Sequence, residues 1–152
     1  MAFRKKADAI MSLRPDILIV PECECLENLN FIDNIPKPTN MLWFGKNRHK
    51  GLAIFSFGAY RLEEIAGHNE ELKIIIPIVV TGGSIIFNLL AIWANNPTDK
   101  EGQYVTQVWK ALKYYEQLIA DKQTVLMGDF NSNTIWDRPG RVGNHSDVVS
   151  AL

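Results

Sequence analysis

Residues 124–131 of this 152-residue chain read Thr124-Val125-Leu126-Met127-Gly128-Asp129-Phe130-Asn131. The first four residues are apolar or β-branched, which predicts a short, buried core strand. Gly128 then relaxes the backbone, and Asp129 and Asn131 follow two positions apart. In an extended chain that spacing puts both polar side chains on one face and turns Phe130 to the other. The stretch therefore predicts a core strand that ends in a carboxylate beside a carboxamide.

A carboxylate beside a carboxamide suits the chemistry of phosphate esters. Asp129 can orient or deprotonate a water molecule, and Asn131 can donate hydrogen bonds to a phosphoryl oxygen without adding negative charge. Residues 128–131 also fit a strand end that runs into an Asx turn, which is a purely structural role. The tetrapeptide alone does not choose between these two interpretations.

A second stretch, residues 14–22, ends in another acidic side chain. Pro15 stops a preceding helix, an apolar strand follows, and Glu22 stands at the carboxyl end of that strand. Two strands that each deliver an acidic side chain at the carboxyl end are typical of an α/β active site. The carboxylate of Glu22 is a hard oxygen ligand, which favours Mg²⁺ over a softer metal.

Four stretches together make the chain resemble the endonuclease/exonuclease/phosphatase superfamily, whose members have the DNase I-like fold. They occur in the order of that family over nearly the whole chain, and they read Arg14-Pro15-Asp16-Ile17-Leu18-Ile19-Val20-Pro21-Glu22-Cys23-Glu24, Lys50-Gly51-Leu52-Ala53-Ile54, Trp93-Ala94-Asn95-Asn96-Pro97 and Gly128-Asp129-Phe130-Asn131. The resemblance implies an α/β fold in which two mostly antiparallel or mixed sheets pack between helices as an α-β-β-α sandwich. It also implies a Mg²⁺-dependent hydrolase of ester bonds, with Mn²⁺ as a possible substitute.

The resemblance assigns a role to each candidate residue. Glu22 would hold the metal, Asp129 would align the attacking water, and Asn131 would bind the phosphate or the transition state. The family places a further polar residue near the same phosphate. Asn95 or Asn96 fills that place, and the sequence does not choose between them.

The resemblance also implies that residues 1–152 form a single domain that is incomplete at both ends. Members of the family usually begin with a strand ending in asparagine and close with a Ser-Asp-His motif on a late strand. Here residues 1–6 already fit a first helix. Residues 145–147, His-Ser-Asp, have the wrong order for the closing motif, so we expect Asn144 to cap a helix over the last residues instead.

Composition indicates an ordinary soluble globular protein. The formal net charge is −1, so nucleic acid would have to bind a local basic patch rather than the whole surface. Two basic clusters, Lys46–Lys50 and Arg138 with Arg141, lie in predicted loops; each is either a solvated turn or a phosphate-steering patch. Trp136 either stacks on a base or closes the edge of the core.

The same sequence bears on localisation. Cys23 and Cys25 are too close in sequence to bridge comfortably, and the opening residues lack the pattern of a signal peptide. We therefore expect reduced cysteines in a cytoplasmic protein. Residues 74–97 carry no charge, but Pro77 and Gly82-Gly83 divide them, which favours a β-hairpin over a membrane span.

Periodicity predicts one further long element, a helix over residues 101–121. Apolar residues recur there at three- and four-residue steps, and Thr98 or Asp99 is the expected cap. Strands are predicted over residues 16–21, 41–44, 52–57, 60–65, 72–80 and 84–93.

Two kinds of function are consistent with these features. The leading hypothesis is a metal-dependent endonuclease- or exonuclease-like hydrolase of nucleic acid. The alternatives are a catalytically incomplete chain that binds metal or nucleic acid without turnover, and a phosphatase of a small phosphorylated substrate. We expect no membrane partner, and we expect self-association if sheet edges are left uncovered.

Overall fold

A computed structural model describes residues 3–29, 36–72, 74–95 and 103–152. Within these ranges the protein has the mixed α/β class that the sequence predicts, with two sheets and four α-helices. The helices are α1 (Ala7–Met11), α2 (Val105–Tyr114), α3 (Glu116–Asp121) and α4 (His145–Ala151). The strands are β1 (Ile17–Cys23), β2 (Asn40–Asn47), β3 (Lys50–Ser56), β4 (Arg61–Glu64), β5 (Ile74–Thr81), β6 (Phe87–Trp93) and β7 (Thr124–Asp129).

The first sheet is antiparallel, in the order β1-β3-β2. β3 is its central strand, and its residues 51–56 are all buried, as expected of a strand that is covered on both faces. The predicted basic turn joins β2 to β3. Because β1 and β3 run in opposite directions, the carboxyl end of β1 lies beside the start of β3.

The second sheet has the order β4-β5-β6-β7 and is mixed. β5 and β6 form the antiparallel pair predicted for residues 74–97. β7 returns parallel to β6 after α2 and α3, so both strands end at the same edge, with Trp93 opposite Asp129.

Three clusters of buried side chains stack the elements in four layers. Leu52 and Ile54 of β3 pack against Ile76 of β5 and Leu89 of β6, which places the two sheets face to face. The outer face of the first sheet is covered by α1 and the preceding turn, through Phe3, Ala7 and Met11. The outer face of the second sheet is covered by α2 and α4, through Val105, Val108, Ala111, Leu112, Tyr115 and Val148.

The helix predicted over residues 101–121 is two helices. At Tyr115 the backbone leaves helical geometry, with φ −95° and ψ 16°, and α3 begins at the next residue. The apolar stripe continues across this break, through Leu118 and Ile119, which is why periodicity did not reveal it. The helix begins at Val105 with Tyr104 as its N-cap, and the predicted caps Thr98 and Asp99 lie outside the described residues.

β7 is more exposed than a core strand. Val125 and Met127 are 39% and 41% exposed, so the prediction of a buried strand is wrong for one of its faces. Their register partners, Leu89 and Ala91, face the first sheet. Three strands of that sheet oppose four of the second in the described chain, and β7 at the edge is only partly covered.

The last helix begins where the sequence predicts, with Asn144 at the N-cap position. The carboxylate of Asp147 accepts the backbone N–H groups of Gly143 and Asn144 at 2.8 and 2.9 Å. A second carboxylate, that of Asp137, accepts those of His145 and Ser146 at 2.8 and 3.1 Å. Two side chains thus accept the backbone N–H groups at the start of α4, and the contact from Asp137 ties the preceding loop to the helix.

Candidate active site

Glu22 occupies a bulge in β1. The register with β3 shifts between Pro21, opposite Leu52, and Cys23, opposite Gly51, so that Glu22 falls between these two register pairs. Its φ of 60° lies in the left-handed region, which is uncommon for a residue other than glycine. Bulges of this kind turn a side chain away from the regular alternation and are common beside functional sites.

The carboxylate of Glu22 is paired with Lys50, the first residue of β3. Glu22 Oε1 lies 2.8 Å from Lys50 Nζ. The hydrogen bond from Lys50 holds the pKa of Glu22 below its usual range, although partial burial opposes this shift. The same ammonium group lies 5.4 Å from the centroid of the Trp93 ring, which is within the range of a cation–π contact.

Asp129 faces the same side of its sheet as Trp93. The two residues are register partners in the parallel β6–β7 pair, and the ring of Trp93 packs between the sheets. Glu22 pairs with Lys50, Lys50 lies over Trp93, and Trp93 stands beside Asp129. The strand ends that carry Glu22 and Asp129 therefore lie at the same end of the sandwich, as a shared metal-phosphate site requires.

Gly128 brings the end of β7 close to β6. Its φ is 138°, and a Cβ atom at this position would collide with the carbonyl group of Ile92. Glycine alone permits this approach without strain. The pairing continues past the strand, because the backbone N–H of Ala94 donates to the carbonyl of Asp129 at 2.9 Å.

Asn131 holds the carboxylate of Asp129 at two points. Its backbone N–H donates to Asp129 Oδ1 at 3.0 Å, and its side-chain Nδ2 donates to Asp129 Oδ2 at 2.9 Å. Nδ2 also donates to the carbonyl of Ala94 at 3.0 Å. Both amide hydrogens are thus used within the protein, and a hydrogen bond to a phosphoryl oxygen requires one of these contacts to break. The Asx turn proposed as the structural interpretation is present, and it orients the candidate catalytic carboxylate.

Asn95 lines an open cleft of about 720 Å³ at this end of the sandwich. The cleft is also lined by Trp43, Lys46, Lys50 and Trp93. Asn95 therefore shares a cavity with the lysine that contacts Glu22. The alternative candidate, Asn96, lies outside the described residues.

A second cleft, of about 570 Å³, is lined by Asn131, Tyr104, Trp136 and the two arginines of the second basic cluster, Arg138 and Arg141. Both predicted basic clusters thus contribute to clefts that contain a candidate site residue. The exceptions are Arg48, which forms an exposed ion pair with Glu27 at 3.0 Å, and His49, which lies in the β2–β3 turn.

The carboxylate of Glu22 is compatible with Mg²⁺, a metal that needs few protein ligands. In the parts of the chain that the structure describes, no group of three or more His, Cys, Asp or Glu side chains is arranged around a common point. Mg²⁺ commonly binds one or two carboxylates and keeps several water molecules. Glu22 is ionised and already has a cation, the Lys50 ammonium, as its partner.

Sequence reasoning missed the contacts that connect the site. The bulge had one visible signal, Pro21 inside a strand, because proline lacks the N–H that a regular ladder requires. The pairing of Lys50 with Glu22 and Trp93 had no signal, since it depends on sheet packing. The hydrogen bond between Ser132 Oγ and His145 Nδ1, 2.7 Å long, had no signal in the sequence either. It ties the residue after Asn131 to α4.

No protein-family model matches the chain, and no curated protein shows significant similarity to it. Among the described residues, no helix has the length and apolar character needed to cross a membrane.

Proposed function

We propose that this protein is a divalent-metal-dependent phosphodiester hydrolase of the endonuclease/exonuclease/phosphatase superfamily, and that its substrate is nucleic acid. The observation that carries the proposal is the convergence of Glu22, Lys50, Trp93 and Asp129 at one end of the sandwich. Two carboxylates from distant parts of the chain lie at that end, beside a lysine and a cleft. Mg²⁺ is the expected metal, and Mn²⁺ is an expected substitute.

Glu22 is the proposed metal ligand. Its bulged backbone and low pKa present an ionised carboxylate at the strand end. When bound, Mg²⁺ would neutralise charge that develops on the phosphate and on the leaving oxygen. Lys50, displaced from Glu22, would remain beside the cleft as a cation for the phosphate.

Asp129 is the proposed acceptor of the proton from the attacking water. Each of its oxygens already accepts one hydrogen bond from Asn131, and each retains a further lone pair for water. The role that the structure favours for Asn131 is to fix this carboxylate, and Asn95 is the candidate for contact with the phosphate from the neighbouring cleft.

The test is hydrolysis of labelled single-stranded and duplex DNA and RNA with Mg²⁺, with Mn²⁺ and with chelator. Asp129→Asn should reduce the rate by a factor on the order of 10²–10⁴, as expected for loss of a general base. Glu22→Gln should first raise the Mg²⁺ concentration needed for activity. Glu63→Gln, on the edge strand β4, is the matched control and should leave activity unchanged. Metal-dependent hydrolysis that neither site substitution alters would contradict the assignment.

A binding function without turnover is the second candidate, and one observation favours it. The carboxylate of Glu22 is paired with the ammonium group of Lys50, and Asn131 donates both of its side-chain amide hydrogens within the protein. If these contacts persist, metal and nucleic acid bind but no phosphodiester bond breaks. Equal affinity for DNA in the wild type and in Asp129→Asn, without hydrolysis under any metal condition, would identify this case.

A further inference from the structure

The loop between β7 and α4 is tied down by its own side chains. Asn144 Oδ1 accepts the backbone N–H of Arg138 at 3.1 Å and the Nε of Arg141 at 2.7 Å. Arg141 Nη2 donates to the carbonyl of Trp136 at 3.1 Å. Asp137 anchors the middle of the loop to the start of α4. The backbone of Trp136 is therefore held through its carbonyl by Arg141 and through its N–H, which donates to the carbonyl of Asn133 at 3.0 Å.

This loop presents an aromatic ring that the core does not use. Trp136 is 56% exposed and Ile135 is 76% exposed, and neither belongs to the buried clusters. The alternative in which Trp136 closes the edge of the core is thus wrong. Tryptophan is enriched at binding surfaces, because its ring offers a large apolar area while its N–H can stay in contact with water, so this exposed indole is a candidate contact for a planar ligand.

The charges around the ring favour an anionic ligand. Trp136 lines the 570 Å³ cleft together with Arg138, Arg141 and Asn131. No hydrogen bond or ion pair within the described chain engages the guanidinium group of Arg138, whose own contacts run through its backbone. Among the described residues that line the cleft, Asp137 is the acidic one. Its carboxylate is hydrogen-bonded to the start of α4, and these bonds, that of Ser146 above all, hold its pKa below the usual range.

We infer that this cleft binds one unpaired nucleotide of a single-stranded nucleic acid, with the base stacked on Trp136 and its phosphate contacted by Arg138. The choice of nucleic acid as ligand rests on the proposed function. The cleft volume falls within the range of about 300–1,000 Å³ that is typical of ligand sites. Asn131 borders the same cleft, so the bound nucleotide would lie next to the scissile phosphate.

Stacking explains why an unpaired base is the expected partner. In a duplex both faces of a base are covered by its neighbours, whereas a single strand can turn a base onto an aromatic ring. Arg138 adds a phosphate contact that carries no sequence information. The site should therefore prefer single strands over duplexes and should depend on salt.

The experiment measures affinity for a labelled thymidine 12-mer by fluorescence anisotropy in chelator, so that neither metal nor turnover contributes. Trp136→Ala should weaken binding about tenfold or more, and Trp136→Phe should retain most of the affinity. Arg138→Gln should weaken binding and flatten its salt dependence. Val142→Ala, at an exposed apolar residue of the same loop that does not line the cleft, and Arg61→Gln, on β4, are the matched controls.

Three results would overturn the inference: no binding by the wild type, equal affinity in Trp136→Ala and Val142→Ala, or a preference for duplex DNA of the same sequence. Circular dichroism of each variant separates loss of binding from loss of fold. Failure of the proposed function looks different. In that case hydrolysis is absent or indifferent to Asp129→Asn, while the anisotropy series still shows the dependence on Trp136.

Discussion

Asn131 donates a hydrogen bond to each carboxylate oxygen of Asp129, one from its backbone nitrogen at 3.0 Å and one from its side-chain nitrogen at 2.9 Å. The left-handed backbone of Asn131, with φ 44°, makes this possible, because the chain turns back on itself directly after the strand. Asparagine and glycine adopt that conformation more readily than other residues.

Asn131 has to adopt a left-handed backbone and to supply the side-chain hydrogen bonds, and two substitutions separate these requirements. Asn131→Gly keeps the backbone conformation and loses the side-chain contacts, while Asn131→Ala loses both. We expect Asn131→Ala to be less stable than Asn131→Gly by roughly 1 kcal/mol, since a left-handed backbone costs an L-residue roughly 1–2 kcal/mol. Urea unfolding measures the difference. Equal stability of the two variants would show that the turn relaxes without its asparagine.

Lys50 should compete with a divalent metal for Glu22. Lys50→Met should tighten Mg²⁺ binding by about two- to fivefold, because an exposed ion pair contributes at most about 1 kcal/mol. Isothermal titration calorimetry at neutral pH measures the affinity. Lys46→Met removes the same charge from the same cleft and is the control. Similar affinity changes in the two variants would mean that the lysine acts through general charge rather than through its contact with Glu22.

Gly128 should be required for the position of the site. Gly128→Ala places a Cβ against the carbonyl of Ile92 and should destabilise the protein by roughly 1–3 kcal/mol or more. Gly58→Ala is the matched control, since Gly58 has φ 64° but no atom within 4 Å of the added carbon. Thermal unfolding of both variants tests whether the collision, rather than the backbone angle, determines the loss.

The cap supplied by Asp137 predicts a dependence of stability on pH. Its pKa is held below the usual value of 3.8, chiefly by the hydrogen bond from Ser146. A carboxyl with a lowered pKa in the folded state stabilises it fully above the unfolded pKa, and this contribution is lost as the pH falls through the folded pKa. The wild type should therefore unfold at a higher temperature than Asp137→Asn above about pH 5. The two should converge in stronger acid, and a constant difference down to pH 2 would contradict this account.

Self-association should proceed through β7. Its inner face exposes Val125 and Met127, and β6 is its one paired neighbour among the described strands. Two copies can pair such edges. We expect dimers whose population rises with protein concentration in light scattering. Val125→Lys should return the protein to monomer, whereas Val149→Lys, on the exposed face of α4, should not.

The sequence predicted elements better than it predicted their surroundings. Apolar runs marked β3, β5 and β6 because burial on both faces leaves few polar positions, and they marked β1 although most of its residues are only partly buried. The same logic failed at Val125 and Met127, since a strand at an edge can be apolar without being covered. It also failed at Tyr115, where a helix breaks without interrupting its apolar stripe.

The same holds for the candidate site, where the sequence predicted the residues but not the contacts that they make. Strand-end residues such as Glu22 and Asp129 were visible because they follow directly after apolar runs. The partners of those residues were not visible. Lys50 reaches Glu22 across a strand pair, and Asn131 reaches Ala94 across 37 positions of sequence, contacts that only the packed sheets determine.

The residue that follows Glu22 gives the site a chemical reporter of its own. Cys23 is fully buried opposite Gly51, and burial raises the pKa of its thiol to about 12, so the unreactive protonated form prevails at neutral pH. An alkylating reagent can modify Cys23 only when the packing around it opens, at the end of β1 or at α1 and the preceding turn, which cover this thiol. The labelling rate of Cys23, measured in Cys25→Ser so that the second buried thiol does not contribute, thus reports how often this end of the sheet opens, and a cation held by Glu22 should slow it.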